Sequence, residues 1–147
     1  MQKDFELLPH TADIKIRVYG TSLEQIFIHA LIGMFQSIGP QASNCKMVAD
    51  RLVCDVLPYA HTLSIDSPDR EALLVDFLSD ALYLSDVHNQ AYLGATIHML
   101  TDTHIEVTVY GVAVQGFEVV EIKAVTYHDL YIKQTADGWQ AEIVFDI

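Results

Sequence analysis

The sequence predicts an α+β fold, a two-layer arrangement of a mostly antiparallel or mixed β-sheet with two helices packed on one face. Two segments carry apolar residues at the three-four spacing of a helix. Both follow the first strand signals, and behind them runs a series of short β-branched or aromatic segments bounded by turn residues. At 147 residues the chain fits one domain, residues 1–147, able to bury roughly two thirds of its unfolded surface without a stabilising staple.

Taken in order, residues 3–8 and 13–19 read as strands. In the second, Ile14, Ile16 and Val18 alternate with Lys15, Arg17 and Tyr19. The first helix opens at Ser22 and carries Leu23, Ile26, Phe27, Ala30, Leu31, Met34, Phe35 and Ile38 on one stripe. Thr21 with Glu24, or Ser22 with Gln25, forms a capping box, and Gly39-Pro40 ends the helix. The second helix takes Ser67 as N-cap and Pro68 at its first position, and runs to about Asp86. Strands follow the pattern at 46–57, 61–66, 91–100, 104–111, 121–128, 129–134 and 139–147. Hairpin turns are expected at 100–103 and 136–138.

Composition narrows the function. Eight Lys and Arg against twenty Asp and Glu give a net charge of −12. No segment gathers the basic residues, so direct nucleic-acid binding is not expected, because such binding draws on cations that neutralise phosphates. A basic protein partner or cations suit the surface better. The start MQKDFELLPH has no signal-peptide core, and no stretch approaches the ~20 apolar residues of a membrane span. The chain reads as soluble and cytoplasmic, with Cys45 and Cys54, in no CxxC pattern, as reduced thiols.

Phosphate loops, dinucleotide fingerprints, serine-nucleophile elbows, HExxH and paired CxxC motifs are all missing from the sequence. What remains as candidate chemistry is a set of carboxylates, the lysine Lys123 and scattered histidines. In AEIVFDI the inward set is Ala141, Ile143, Phe145 and Ile147, leaving Glu142 and Asp146 on the other face. The Asp146 side chain lies one residue from the carboxylate of Ile147, and both are ionised at neutral pH. Such a pair reads either as two solvated charges or as hard oxygen donors suited to calcium, magnesium or manganese. His10, Thr11 and Asp13 crowd the entry to the second strand, where they read equally as turn and surface groups. Lys123 reads as a strand-face lysine beside Glu121, and His128 as a strand side chain. The other histidines, His29, His61, His88, His98 and His104, show no ligand spacing.

Several of these pieces recur together. LPHTADIKIRVYG, SLEQIF, EALLVDFLSDALYL, EIKAVTYH and a closing FDI, in this order, resemble the archease family over nearly the full length. The resemblance implies a small α+β domain that is not itself an enzyme. It would activate an RtcB-type tRNA-splicing RNA ligase, promoting guanylylation and multiple turnover and relaxing the ligase's demands on metal and nucleotide. It further implies a divalent-metal site formed by Asp13, Asp146 and the carboxylate of Ile147, holding calcium, or magnesium or manganese. Lys123 and His10 would be functional residues toward the partner. A second role attached to the family is that of a chaperone or specificity modulator of a tRNA methyltransferase or other RNA-modifying enzyme. A small metal-dependent hydrolase ranks last, since no general acid or base has an assured neighbour. The sequence departs from the family pattern at Pro9, at Val119-Val120 and in a longer segment over 39–66.

Overall fold

The computed structural model describes residues 3–9 and 12–147. In chain order the elements are β1 (Phe5–Leu8), β2 (Ile14–Gly20), α1 (Leu23–Ser37), β3 (Pro40–Gln41), β4 (Cys45–Val48), β5 (Arg51–Cys54) and β6 (Tyr59–Asp66). They continue with α2 (Arg70–His88), β7 (Gln90–Leu100), β8 (His104–Ala113), β9 (Gly116–Phe117), β10 (Ala124–Thr135) and β11 (Gly138–Asp146). The α+β reading holds, and the strands divide between two main antiparallel sheets. One has the order β1-β2-β11-β10 and the other β6-β8-β7, while β3-β9 and β4-β5 form two-stranded pieces.

Alternation in β2 buries Ile14, Ile16 and Val18, and in β11 it buries Ala141, Ile143 and Phe145. Both helices contact both sheets. The α1 stripe, Ile26, Phe27, Ala30, Leu31, Met34 and Phe35, and α2 residues such as Leu74, Phe77 and Leu78 close one core with Ile105, Val107 and Val109 of β8. Phe27 stacks obliquely on Phe77, joining the two helices.

Helix α1 begins as its sequence predicts. The Ser22 hydroxyl accepts the Gln25 N–H, and the Gln25 side chain accepts the Thr21 N–H, which satisfies donors the first turn leaves free. Helix α2 starts later than expected. Its N-cap is Asp69, whose carboxylate accepts the Ala72 N–H at 2.8 Å, while the Ser67 hydroxyl donates to Asp76. An ionised cap complements the positive helix end better than a serine two residues upstream.

Two further expectations are corrected. The segment 46–57 is no single strand, because Ala49 and Asp50 both adopt left-handed φ, 51° and 65°, and fold it into the β4–β5 hairpin. A two-residue turn of this kind favours Asn-Gly or Asp-Gly, so Ala-Asp gives little warning of it. The cysteines expected as reduced thiols form the Cys45–Cys54 disulfide, because that hairpin sets them directly opposite each other. Gln36 of α1 holds the hairpin to the body through both backbone groups of Leu52. Replacing both cysteines by serine is expected to lower stability by up to about 2–3 kcal/mol, the chain-entropy value for so short a loop. A urea midpoint equal to that of the parent protein would show that the hairpin opens independently of the fold.

The segments 121–128 and 129–134 also differ from expectation. From Ala124 they form one strand, β10, broken by a register shift between Thr126 and Tyr131, with Asp129 at φ 55°. This bulge bends β10 toward the face of the sheet opposite the helices, where Asp129 comes to 3.7 Å from the Lys15 ammonium.

Candidate functional site

The register of the first sheet places most of the residues singled out by sequence at one end. Strands β2 and β11 pair from Trp139–Gly20 to Phe145–Ile14, and Asp13 and Asp146 are the residues next to that last pair, one on each chain segment. On its other side Asp146 pairs with Ala124 of β10, and the Lys123 amide donates to the Asp146 carbonyl at 2.7 Å. Thus Asp146 and the backbone of Lys123 meet where β11 ends and β10 begins, and Asp13 directly precedes β2 at the same end of the sheet. Asp146 and Lys123 are exposed, and Asp13 is half-buried. Ile147 is half-buried against the core. His10 and Thr11 lie outside the described residues.

Among the described residues no three His, Cys, Asp or Glu side chains gather closely enough to hold a metal ion. A cation held by Asp13 and Asp146 would need a third donor from elsewhere. All donors in question are carboxylate oxygens, a set that fits a hard cation and disfavours zinc.

Beside this end, on the face away from the helices, lies a charged network that sequence reasoning missed. Glu142 belongs to the face opposite the core as expected, yet it is only 8% exposed. One carboxylate oxygen accepts hydrogen bonds from Arg17 Nε at 2.8 Å and from the Tyr131 hydroxyl at 2.8 Å, and the other lies 3.2 Å from Lys15 Nζ. Gln140 donates to the Tyr131 hydroxyl, and Tyr19 donates to Glu6, which faces Arg17 across 3.6 Å. Burial alone would push the Glu142 carboxyl up, but the hydrogen bonds from Tyr131, Arg17 and Lys15 outweigh it and hold it below the ordinary range. Burial also raises the Tyr131 phenol, assisted by its bond to Glu142. The network fixes β2, β10 and β11 to one another just inside the end that carries Asp13 and Asp146.

Several described histidines take polar or aromatic partners. His104 bridges Asp66 and Glu106 through its two ring nitrogens, and its hydrogen bonds to Glu106 and then Asp66 raise its pKa. His61 stacks on His88 and contacts the Gln90 side chain. His128 is exposed and lies 3.3 Å from Asp129.

Comparison with known proteins places the fold and the sequence together. The Archease protein family (MTH1598/TM1083) matches the chain over residues 5–147. The chain belongs to the archease family. It is 37% identical over 153 residues to the archease of Methanosarcina barkeri, covering 99% of this chain and 97% of that protein. It is 30% identical over 155 residues to that of Pyrococcus furiosus, covering 99% of each. The solution structure of Methanobacterium thermoautotrophicum protein 1598 superposes with a TM-score of 0.64 at 24% identity, covering 99% of this chain and 100% of that one. A crystal structure of an archease from Thermotoga maritima, described as a possible chaperone, gives 0.61 at 21% identity, covering 100% and 98%. These two likenesses establish the archease fold. No helix among the described residues is long and apolar enough to cross a membrane.

Proposed function

We propose that this archease is a non-enzymatic accessory protein of an RtcB-type tRNA-splicing RNA ligase, promoting guanylylation and multiple turnover of that enzyme in the cytoplasm. The observation that supports the reading is the β2–β11 register, whose last pair Phe145–Ile14 adjoins Asp13 and Asp146, with the Lys123 backbone bonded to Asp146. Asp13 and Asp146 would hold a divalent cation, calcium or else magnesium or manganese. In the family pattern the third ligand is the carboxylate of the final residue, here Ile147. A bound cation supplies concentrated positive charge able to organise phosphate or carboxylate oxygens. Lys123, exposed at the same sheet end, presents a mobile ammonium to an anionic group of the partner, and His10 is assigned to the same contact. The Glu142 network keeps β2, β10 and β11 in register so that these groups stay together.

The second reading is a chaperone or specificity modulator of a tRNA methyltransferase or other RNA-modifying enzyme. It draws support from the description of the Thermotoga maritima archease as a possible chaperone. The acidic surface favours a protein as the immediate partner in either case.

The test is a ligation assay with purified ligase. With the archease present, guanylylated ligase and several turnovers per enzyme are expected, and without it a single turnover. An extension beyond Ile147 is expected to impair activation more than an N-terminal tag. Equal turnover with and without the archease would overturn the ligase reading.

A further inference from the structure

A groove of about 530 Å³ runs between α2 and the segment that leads into β10, and nothing in the fold fills it. Its lining is mixed, with Leu82, Ser79 and Ser85 of α2 on one side and Phe117 and Ile122 on the other. Its rim carries Asp86 and Glu121, with Lys123 as the one cation among the described lining residues. Tyr83, also on the rim, is 69% exposed, and Val119 of the neighbouring segment is 68% exposed. Large side chains left in water beside a groove with both apolar and charged lining mark a surface that another molecule covers.

Charge decides which molecule. Two carboxylates against one ammonium make the rim net acidic, in a chain whose net charge is −12. A phosphate backbone would meet repulsion here, whereas Lys and Arg would be drawn in and paired. We propose that the groove between α2 and residues 117–125 docks a segment of a partner protein that carries an aromatic or long aliphatic anchor flanked by Lys or Arg. The anchor enters between Leu82 and Ile122 and packs beneath Tyr83, while its basic neighbours pair with Asp86 and Glu121. Aromatic anchors in such pockets carry a disproportionate share of binding energy, and rim charges mainly steer association and set its salt dependence. The biological setting rests on the accessory-protein reading above. The groove would put the docked segment next to Lys123 and thus beside the sheet end that carries Asp13 and Asp146.

The experiment pans a phage-displayed random dodecapeptide library on the intact protein. Peptides with an apolar anchor between basic residues are expected to be enriched. As synthetic peptides they should bind about tenfold or more weakly to Tyr83→Ser and to Asp86→Lys/Glu121→Lys, with unchanged circular dichroism. Both variants change exposed side chains, so the fold is preserved. Failure to enrich such peptides, or equal affinity for the parent and both variants, overturns the proposal. So does a labelled RNA oligonucleotide that competes with the peptides for the groove. A parallel titration with the ligase separates this inference from the functional reading. Ligase that binds the parent and the groove variants alike removes the groove and leaves the activator role standing. Peptides that bind through the groove while the ligase is not activated remove the activator role and leave the groove standing.

Discussion

Glu142→Ala is expected to lower the unfolding free energy by about 2–3 kcal/mol, the largest stability loss among single changes on the outer face of the first sheet. Removing one member of a buried ion pair commonly costs about 3–5 kcal/mol, because the partner charge is left without compensation. The lower figure applies here because the Arg17 side chain is 34% exposed and water compensates part of its charge. Glu142→Gln keeps the volume and one acceptor, so its cost is expected to be roughly half as large. Urea denaturation of the three proteins measures the differences. The pH dependence has a definite sign. The folded-state pKa of Glu142 lies below its ordinary 4.5, so its contribution is complete above that pH and disappears as pH falls through the folded value. His104 behaves oppositely. Its pKa is raised above 6.5, so its contribution is complete below that pH and is lost as pH rises through the folded value. If Glu142→Ala retains the parent's acid limb of stability, the carboxylate is not the group responsible.

Asp146→Asn is expected to weaken divalent-cation binding by at least the roughly ten- to hundredfold that loss of an outer-shell partner produces, and to abolish ligase activation. The substitution removes one of the two aspartate charges at this end of the sheet, while the backbone pairing of residue 146 with Ala124 persists. Because the side chain is exposed, stability should change by no more than about half a kcal/mol. Lys123→Ala provides the contrast. Loss of a nearby positive charge leaves cation affinity equal or slightly higher, yet activation is expected to fall if the ammonium meets the partner. Calorimetric cation titration beside the multiple-turnover assay separates the two effects. Unaltered cation affinity in Asp146→Asn would remove this residue from the proposed site.

Local signals carried much of the architecture. The α1 stripe and its Gln25 capping box, the turn between β7 and β8, and the Gly138 turn into β11 each depend on neighbours within a few residues, which is why they were legible. The pairing of β2 with β11, which brings the ends next to Asp13 and Asp146 together, was not, because periodicity shows which face a residue takes and says nothing of which strand lies alongside. The family resemblance supplied that proximity as an expectation. The burial of Glu142 was not legible for a related reason. A two-residue alternation separates one face from the other, but it cannot show that the second face will be closed by Arg17, Lys15 and a bulged β10. The clue was present in β2, where Lys15, Arg17 and Tyr19 line up as long polar side chains able to surround a carboxylate. The cysteine pair was hidden by Ala49-Asp50, a turn without glycine or asparagine. The groove on α2 is assembled from residues far apart in sequence and had no local signature.

The position of β11 between β2 and β10 also shapes how the molecule comes into being. Arg17 and Glu142 are 125 residues apart, so the middle strand of this sheet reaches its place only after nearly all the intervening chain has been synthesised. Until then the β1–β2 hairpin has an open edge and an uncovered charged face. The β6-β8-β7 sheet and α2 are assembled from contacts within a shorter stretch and can form first. Closing such a distant pairing carries a large loop entropy ahead of any compensating contact, which slows folding and leaves β2 exposed to pairing with other chains. For an acidic chain, mutual repulsion during that interval offers some protection against self-association.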